Sequence, residues 1–184
     1  NQAPSTSLAG ADQVQCNNST FNLAGNNPPV GVGTWTIVSG PGTVGITTPS
    51  SYGSQVTGVT AGTSATLRWT ISNGACPSST DDVVLTNYAT PTTATITATP
   101  LTSCGLTSGS LGGNTPTAGT GSWSQISGPG TSTFSAGTSG SSTATATAYG
   151  TYVYRWTISN GTCTPTTADV TVTYYQSPTT ASIS

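Results

Sequence analysis

The chain contains two copies of one sequence pattern. Residues 33–42 read GTWTIVSGPG, and residues 121–130, 88 positions later, read GSWSQISGPG. Residues 67–76 read LRWTISNGAC, and residues 154–163, 87 positions later, read YRWTISNGTC. A fixed period of this length indicates tandem copies of one folding unit, because each copy must bury the same set of side chains. The pattern therefore predicts an array of domains rather than one large domain.

The two copies also predict the domain boundaries. Repeat 1 covers residues 1–89, and repeat 2 covers residues 90–176. The last segment, residues 177–184, reads SPTTASIS and resembles TPTTATIT, residues 90–97, at the opening of repeat 2. We expect residues 177–184 to form either the first strand of a third repeat or a donor strand that adds to the sheet of a neighbouring molecule.

The residue pattern within each repeat is that of short β-strands. Hydrophobic side chains alternate with other residues along segments 65–71 and 152–158, which gives each segment one apolar face. Asn-Gly pairs follow at 73–74 and 160–161, and this pair is a strong signal for a tight hairpin because both residues tolerate positive φ. Several short strands within each period predict an all-β fold of two tandem immunoglobulin-like β-sandwiches.

Each repeat has two tryptophans, and both recur at equivalent positions. Trp69 and Trp156 lie on the apolar faces of the alternating segments. Trp35 and Trp123 also fit a platform on which a sugar ring stacks, but their recurrence within alternating strands favours burial. We therefore predict that all four tryptophans belong to the cores.

The chain has four cysteines, two in each repeat. Four cysteines allow three complete pairings, and only pairing within each repeat gives both repeats the same bond. The predicted disulfides are therefore Cys16–Cys76 and Cys104–Cys163. Each would stabilise its repeat by about 4 kcal/mol in the chain-entropy model. Disulfides of this kind form outside the reducing cytosol.

The chain is almost uncharged, which limits the chemistry that it can perform. Charged residues make up 3% of the chain, against about 25% in ordinary globular domains. Lysine, glutamate and histidine are absent. General acid–base catalysis usually uses a histidine or a carboxylate pair, and nucleic-acid binding relies on lysines and arginines that neutralise phosphates. We therefore expect no enzyme, no cofactor and no nucleic-acid partner.

Four of the six charged residues occupy equivalent positions in the two repeats. Arg68 and Arg155 are the only basic residues, and Asp82 and Asp169 follow them at the same spacing. A hairpin turn between them would place each arginine beside its aspartate on the adjacent strand, so we predict two cross-strand ion pairs. Asp81 and Asp82 alone are too few for calcium, which takes six or more oxygen ligands, and we predict no metal site.

Serine and threonine are abundant, and we expect them on the outward faces of the strands. Three asparagines, Asn17, Asn18 and Asn160, match the N-glycosylation sequon. The signal is weak because such tripeptides arise by chance in a threonine-rich chain. Covalent glycans on these asparagines, or on serine and threonine, are the modification that the sequence suggests.

The joint between the repeats is short and recurs. Tyr88 and Pro91 in the first joint return as Tyr175 and Pro178 near the end of the chain. Proline fixes φ, and no flexible glycine–serine linker intervenes. We therefore expect stiff coupling between neighbouring copies of the repeat, with the two tyrosines at the contacts.

These motifs resemble a known group of repeats. Gly-x-Trp at 33–35, Ser-Gly-Pro-Gly at 39–42 and Arg-Trp-Thr-Ile-Ser-Asn-Gly-x-Cys at 68–76 are similar to motifs in the immunoglobulin-like or PKD-like tandem repeats of large Bacteroidetes surface proteins. Residues 11–16, ADQVQC, also fit the opening of such repeats, whereas repeat 2 departs from it with TPLTSC at 99–104. The resemblance implies an exported, extracellular adhesin or fibre on the cell surface and no catalytic residue.

The function expected from the sequence is structural. Tandem disulfide-bonded sandwiches would form the stalk or shaft of an adhesin or fibre, whose partners are neighbouring copies of the same repeat. One alternative is a polymerising filament subunit that assembles by strand addition through its C-terminal strand. Another is a carbohydrate-binding module, which would hold tryptophan or tyrosine rings in solvent. No apolar stretch in the sequence is long enough to cross a bilayer.

Overall fold

The computed structural model describes residues 2–98 and 100–178, and both repeats fold into β-strands. The strands of repeat 1 are β1 (Gln13–Cys16), β2 (Phe21–Asn22), β3 (Val32–Ser39), β4 (Gly45–Ile46), β5 (Gln55–Thr57), β6 (Thr63–Ser72) and β7 (Ser79–Tyr88). The strands of repeat 2 are β8 (Leu101–Cys104), β9 (Thr120–Ser127), β10 (Ser132–Phe134), β11 (Ala144–Ala146), β12 (Gly150–Ser159) and β13 (Thr166–Tyr175). No helix occurs within the described ranges.

The longest strands of each repeat form one sheet with the same order. That order is β1-β7-β6-β3 in repeat 1 and β8-β13-β12-β9 in repeat 2. The first strand of each sheet pairs in parallel with the last strand, and the other pairs are antiparallel. A smaller sheet accompanies each of them, β2-β5-β4 in repeat 1 and β10-β11 in repeat 2. The prediction of an all-β fold built from two tandem sandwiches is confirmed.

The chain divides into two compact units. Unit 1 contains Asn1–Thr90 together with Gly161–Cys163, and unit 2 contains Pro91–Asn160 together with Thr164–Ser184. The segment Gly161–Cys163 therefore belongs to unit 1 although its sequence lies in repeat 2. Residues 179–184, most of the predicted strand of a third repeat, lie outside the described residues.

Each unit has a core built on a pair of tryptophans. The ring centroids of Trp35 and Trp69 are 4.9 Å apart, and those of Trp123 and Trp156 are 5.0 Å apart. All four side chains are buried, with exposed fractions between 0% and 7%. Such aromatic pairs contribute about 0.5–1.5 kcal/mol beyond the burial of their surface.

The Gly-x-Trp motif follows from this packing. Gly33 on β3 lies under the indole of Trp69 on β6, and a Cβ atom at this position would overlap the ring. Gly121 on β9 lies under Trp156 in the same way. The tryptophan two residues later then packs against the same ring from its own strand. Glycine is required here by the close approach of a side chain.

The two cores have different polar residues at one equivalent buried position. In unit 1 the Asn87 amide donates a hydrogen bond to the Val59 carbonyl at 2.8 Å. In unit 2 the equivalent residue is Tyr174, whose hydroxyl donates to the Ala144 carbonyl at 3.1 Å. Burial raises the pKa of Tyr174 well above the usual range, and its hydrogen bond with Tyr154 raises it further. Both residues satisfy their polar atoms inside an apolar core.

Each Asn-Gly pair lies at the start of a connection that is longer than the two-residue turn of a tight hairpin. β6 ends at Ser72 and β7 begins at Ser79, so that residues 73–78 connect them. Residues 160–165 connect β12 to β13 in the same way. The expected two-residue turn is therefore wrong in length, because the chain continues through the cysteine before it pairs again.

Candidate functional site

A disulfide links a cysteine of repeat 1 to a cysteine of repeat 2. Both cysteines belong to unit 1. Cys16, at the end of β1, is bonded to Cys163 in the connection after β12, with Cα atoms 5.0 Å apart and a sequence separation of 147 residues. A loop of this length contributes roughly 5 kcal/mol to stability in the chain-entropy model. Cys163 is 4% exposed.

The predicted pairing within each repeat is wrong. Cys16 bonds to Cys163 and not to Cys76, and Cys104 bonds to neither of them; Cys76 and Cys104 are free thiols. The reason lies in the sheet. Cys16 is in register with Tyr88 at the far end of β7, whereas Cys76 precedes the start of that strand.

The length of the last strand keeps the predicted partners apart. β7 has ten residues, and a strand rises about 3.3 Å per residue, so that its two ends lie roughly 30 Å apart. A disulfide needs Cα atoms within about 7 Å of each other. The same geometry applies in unit 2, where Cys104 is in register with Tyr175 at the end of β13 and Cys163 precedes its start.

The disulfide lies beside a tyrosine that is packed against glycine. The ring of Tyr88 contacts Gly161 so closely that a Cβ atom on that glycine would overlap it. Gly161 also has a φ of 52°, in the left-handed region. The Asn17 amide donates to the Tyr88 carbonyl at 2.8 Å and continues the pairing of β1 with β7. The turn, the tyrosine and the disulfide therefore form one packed cluster in unit 1.

Unit 2 has the equivalent cysteine, tyrosine and backbone hydrogen bond of this cluster. Cys104 lies opposite Tyr175 in the parallel register of β8 and β13, and the Gly105 amide donates to the Tyr175 carbonyl at 2.9 Å. The Cys104 thiol is exposed, and its Sγ lies 3.4 Å from the Ser177 hydroxyl. Tyr175 is 58% exposed.

The arginines and aspartates form bidentate ion pairs across the sheets. Arg68 Nε lies 2.7 Å from Asp82 Oδ1, and the pair is in direct register between β6 and β7. Arg155 and Asp169 are joined at the same distance and register in unit 2. The arginine hydrogen bonds hold the pKa of each aspartate below its usual value.

The remaining carboxylates bind backbone amides. Asp81 accepts a hydrogen bond from the Ala9 amide at 2.7 Å, and Asp12 accepts one from the Val84 amide at 2.8 Å. Both bonds tie the N-terminal segment to β7. Among the described residues, no group of three or more metal-ligating side chains comes together.

The described part of the chain has no pocket and buries its tryptophans. The aromatic rings that reach solvent belong to tyrosines, with exposed fractions of 48% for Tyr52, 43% for Tyr149 and 58% for Tyr175. A platform of tryptophans for stacking sugars is therefore not present among the described residues.

The residues predicted at the sequons and joints have different surroundings. Asn17 and Asn18 are exposed, and Asn160 is half-buried. The Asn18 side chain accepts a hydrogen bond from the Thr20 amide at 3.1 Å, within its own sequon. Pro91 is buried, whereas Pro178 is exposed.

Sequence reasoning missed the role of the parallel first strand. The signal was present, because residues 13–16 and 101–104 both end in a cysteine at equivalent places. Short edge segments with mixed polarity give little periodicity. Their pairing direction, and with it the location of each cysteine, depends on contacts far away in the sequence.

Several solved structures have a similar fold. Extracellular domains 3–5 of Drosophila OTK match with a TM-score of 0.54 and 11% identity over 94% of this chain and 60% of that chain. Fibronectin(III)-like modules of CbhA from Clostridium thermocellum match with a TM-score of 0.44 and 11% identity, over 91% of each chain. Mouse cadherin-23 EC22-24 matches with a TM-score of 0.42 and 11% identity, over 96% of this chain and 67% of that chain.

No protein-family model matches the chain, and no curated protein matches it by sequence. None of the described residues forms a helix that is long and apolar enough to span a membrane. At these identities the likeness to solved structures concerns the fold. The chain consists of tandem immunoglobulin-like domains.

Proposed function

We propose that this chain is a non-catalytic stretch of the stalk or shaft of an extracellular bacterial adhesin or fibre. The observation that carries the proposal is the Cys16–Cys163 disulfide, which ties residues of successive sequence repeats together. A stalk transmits force along its chain, and a covalent bond between repeats changes which residues bear that force. The proposal includes the bacterial surface, which rests on the resemblance of the motifs.

The disulfide gives force a path that avoids most of the chain. When the two ends are pulled apart, tension enters at Cys16, crosses the bond to Cys163 and leaves through the residues that follow. The residues between these two cysteines lie in the closed loop and cannot be extended while the bond is intact. Strands β2 to β12 lie within this loop, so that their unfolding does not lengthen the stalk while the bond is intact.

The composition supports an extracellular structural role. A stable disulfide persists outside the reducing cytosol. With 3% charged residues and no lysine, the chain offers few sites for proteases that cleave at basic residues. The arginines that remain, Arg68 and Arg155, lie within β6 and β12 and are engaged in ion pairs. Strand addition by the C-terminal residues stays a prediction.

Single-molecule stretching of the whole chain tests the proposal. The chain is held by handles at its two ends and pulled under oxidising conditions, and then again after a reductant is added. We expect reduction to release about 500 Å of additional contour length, from 147 residues at about 3.4 Å each.

Two variants serve as controls for the stretching experiment. Cys163→Ser should show the long extension even under oxidising conditions, because the loop is no longer closed. Cys76→Ser should behave as the wild type, because its thiol is not in the disulfide. An oxidised wild-type chain that extends to its full length would rule out this force-bearing role.

A further inference from the structure

One face of unit 1 is covered by an Asn-Gly-x-Cys turn. Cys16 and Tyr88 lie side by side in the register of β1 and β7. Gly161 packs against the Tyr88 ring, and Cys163 is bonded to Cys16. The cover is thus residues 161–163, which belong to unit 1, and they lie over a cysteine next to a tyrosine at the end of the parallel strand pair.

Unit 2 carries the same face, and among residues 2–98 and 100–178 no Asn-Gly-x-Cys turn is bonded to its cysteine. Cys104 and Tyr175 have the same register, and the Gly105 amide binds the Tyr175 carbonyl as Asn17 binds Tyr88. Here the thiol is free and exposed, and 58% of the tyrosine is exposed. We refer to Cys104, Gly105 and Tyr175 as the Cys104 face.

Repeat 1 contains a second Asn-Gly-x-Cys turn, and its cysteine is not disulfide-bonded. Residues 73–76 read NGAC, where residues 160–163 read NGTC. Gly74 has a φ of 60°, close to the 52° of Gly161, so that the two turns share their backbone conformation at this position. Gly74 and Ala75 are exposed, and Cys76 is a half-buried free thiol.

We infer that the Cys104 face binds the Asn73–Cys76 turn of a second copy of this chain, and that a disulfide between Cys104 and Cys76 closes the contact. The inference deepens the proposed function, since it names the partner of the stalk. Each chain offers one face and one turn of the kinds that the Cys16–Cys163 cluster already joins. A contact between two different surfaces of identical chains continues from copy to copy, as an open filament or a closed ring.

The bond forms by thiol–disulfide exchange with a disulfide oxidant such as oxidised glutathione. One protein thiolate attacks the oxidant, forms a mixed disulfide and releases one glutathione thiol. The second protein thiolate then attacks the protein sulfur of that mixed disulfide and releases the other glutathione thiol. Two protein thiols are oxidised, and one glutathione disulfide is reduced to two thiols.

Mixing two single variants tests the inference. Cys76→Ser retains only the Cys104 thiol, and Cys104→Ser retains only the Cys76 thiol, while both keep Cys16 and Cys163. One variant is isotope-labelled, and the two are mixed in equal amounts in a glutathione redox buffer. We expect the heterodimer to exceed each homodimer by about tenfold, because the seated turn raises the effective concentration of the correct thiol. Unmixed wild-type chains should form a ladder of linked multimers.

Two results would overturn the inference. The first is a random mixture, in which Cys104–Cys104 and Cys76–Cys76 homodimers form as readily as the heterodimer. The second is a set of monomers that carry only glutathione adducts, which would assign the Cys104 face to a different partner or to none.

A second variant separates a seated turn from two merely accessible thiols. Tyr175→Ala, combined with Cys76→Ser, removes the ring against which Gly74 would pack. We expect heterodimer formation to slow by about fivefold to tenfold, as for loss of an aromatic contact residue. Tyr149→Ala is the matched control, because this tyrosine is also exposed in repeat 2 but is not in the Cys104 face. Equal rates for both variants would contradict the packing of the turn on Tyr175.

The double variant Cys76→Ser, Cys104→Ser distinguishes this inference from the proposed function. It lacks both free thiols and keeps the Cys16–Cys163 bond. In the stretching experiment it should still release its long segment only on reduction. Failure of wild-type chains to form multimers, with the stretching result of the double variant intact, removes the inference alone, whereas loss of the stretching result removes the stalk proposal.

Discussion

Gly33 and Gly121 show how one residue type can set the geometry of a core. Each lies under the indole of a tryptophan on the neighbouring strand, at a distance that leaves no space for a Cβ atom. A tight interior transmits such a clash, because it has few voids into which a ring can move. The same repeated motif also carries the second tryptophan, so that glycine and ring have to be kept together.

Substitution of Gly33 tests this packing. We expect Gly33→Ala to lower the free energy of unfolding by about 1–3 kcal/mol, because the added methyl displaces the Trp69 ring. Urea unfolding followed by tryptophan fluorescence measures the change.

Gly42→Ala is the matched control for this substitution. A Cβ at Gly42 would meet no atom within 4 Å, so that this variant should stay close to the wild type in stability. Equal loss of stability in both variants would point to a general cost of replacing glycine and against the clash with Trp69.

The strand pairs decide which side chains of each repeat meet. The antiparallel pairs β6–β7 and β12–β13 place each arginine opposite its aspartate. The parallel pairs β1–β7 and β8–β13 place each first cysteine at the far end of the last strand. An antiparallel hairpin follows from neighbouring sequence, whereas a parallel edge pair joins segments about 70 residues apart, whose direction no local pattern reveals.

The ion pair on β6 and β7 predicts a dependence on pH. Arg68 lowers the pKa of Asp82 mainly through its hydrogen bonds. A lowered pKa in the folded state means that the stabilisation is present above the unfolded pKa, about 3.9, and is lost as the pH falls through the folded pKa. Arg68→Gln should therefore be less stable than the wild type at neutral pH, and the difference should shrink in acid.

Carboxyl NMR titration provides the direct measurement for this pair. In Arg68→Gln the pKa of Asp82 should rise towards its ordinary value. Asp169 is an internal control, because its partner is Arg155 in unit 2. An unchanged Asp82 pKa, or an equal change at Asp169, would show that the pairing with Arg68 does not cause the lowered value.

The chain as a whole is defined by one long covalent loop. The disulfide joins Cys16 to Cys163, which are 147 residues apart in the sequence, and leaves one thiol of each repeat free. A pairing within the repeats would instead have made two independent loops. The two arrangements differ in how the chain responds to tension and in which cysteines remain available for a partner.

A tryptic map under non-reducing conditions distinguishes these two arrangements. Cleavage of the denatured chain after its two arginines gives peptides 1–68, 69–155 and 156–184. We expect peptide 1–68 to be linked to 156–184, with peptide 69–155 released when the monomer is analysed. Linkage of all three peptides through 69–155, which pairing within each repeat requires, would contradict the structure.

Much of the fold could be predicted from short-range patterns. Alternation along 65–71 and 152–158 predicted strands, and the structure places them in β6 and β12. The spacing of Arg68 and Asp82 suggested neighbours because only one turn separates them. The length of that turn was not evident from the Asn-Gly signal, because residues 73–78 and 160–165 connect the strands in the two repeats, although Cys76 is free and Cys163 is disulfide-bonded.

The sequence by itself determined the repeat, the tandem sandwich fold and the small number of ionisable side chains. The reason is that period, alternation and composition can be read directly from the order of the residues. The tertiary structure alone decided which thiols meet. Pairing by symmetry treats each repeat as isolated, but disulfide formation depends on the distance between sulfur atoms. The parallel first strand carries Cys16 to the end of β7, where the sulfur of Cys163 lies and that of Cys76 does not.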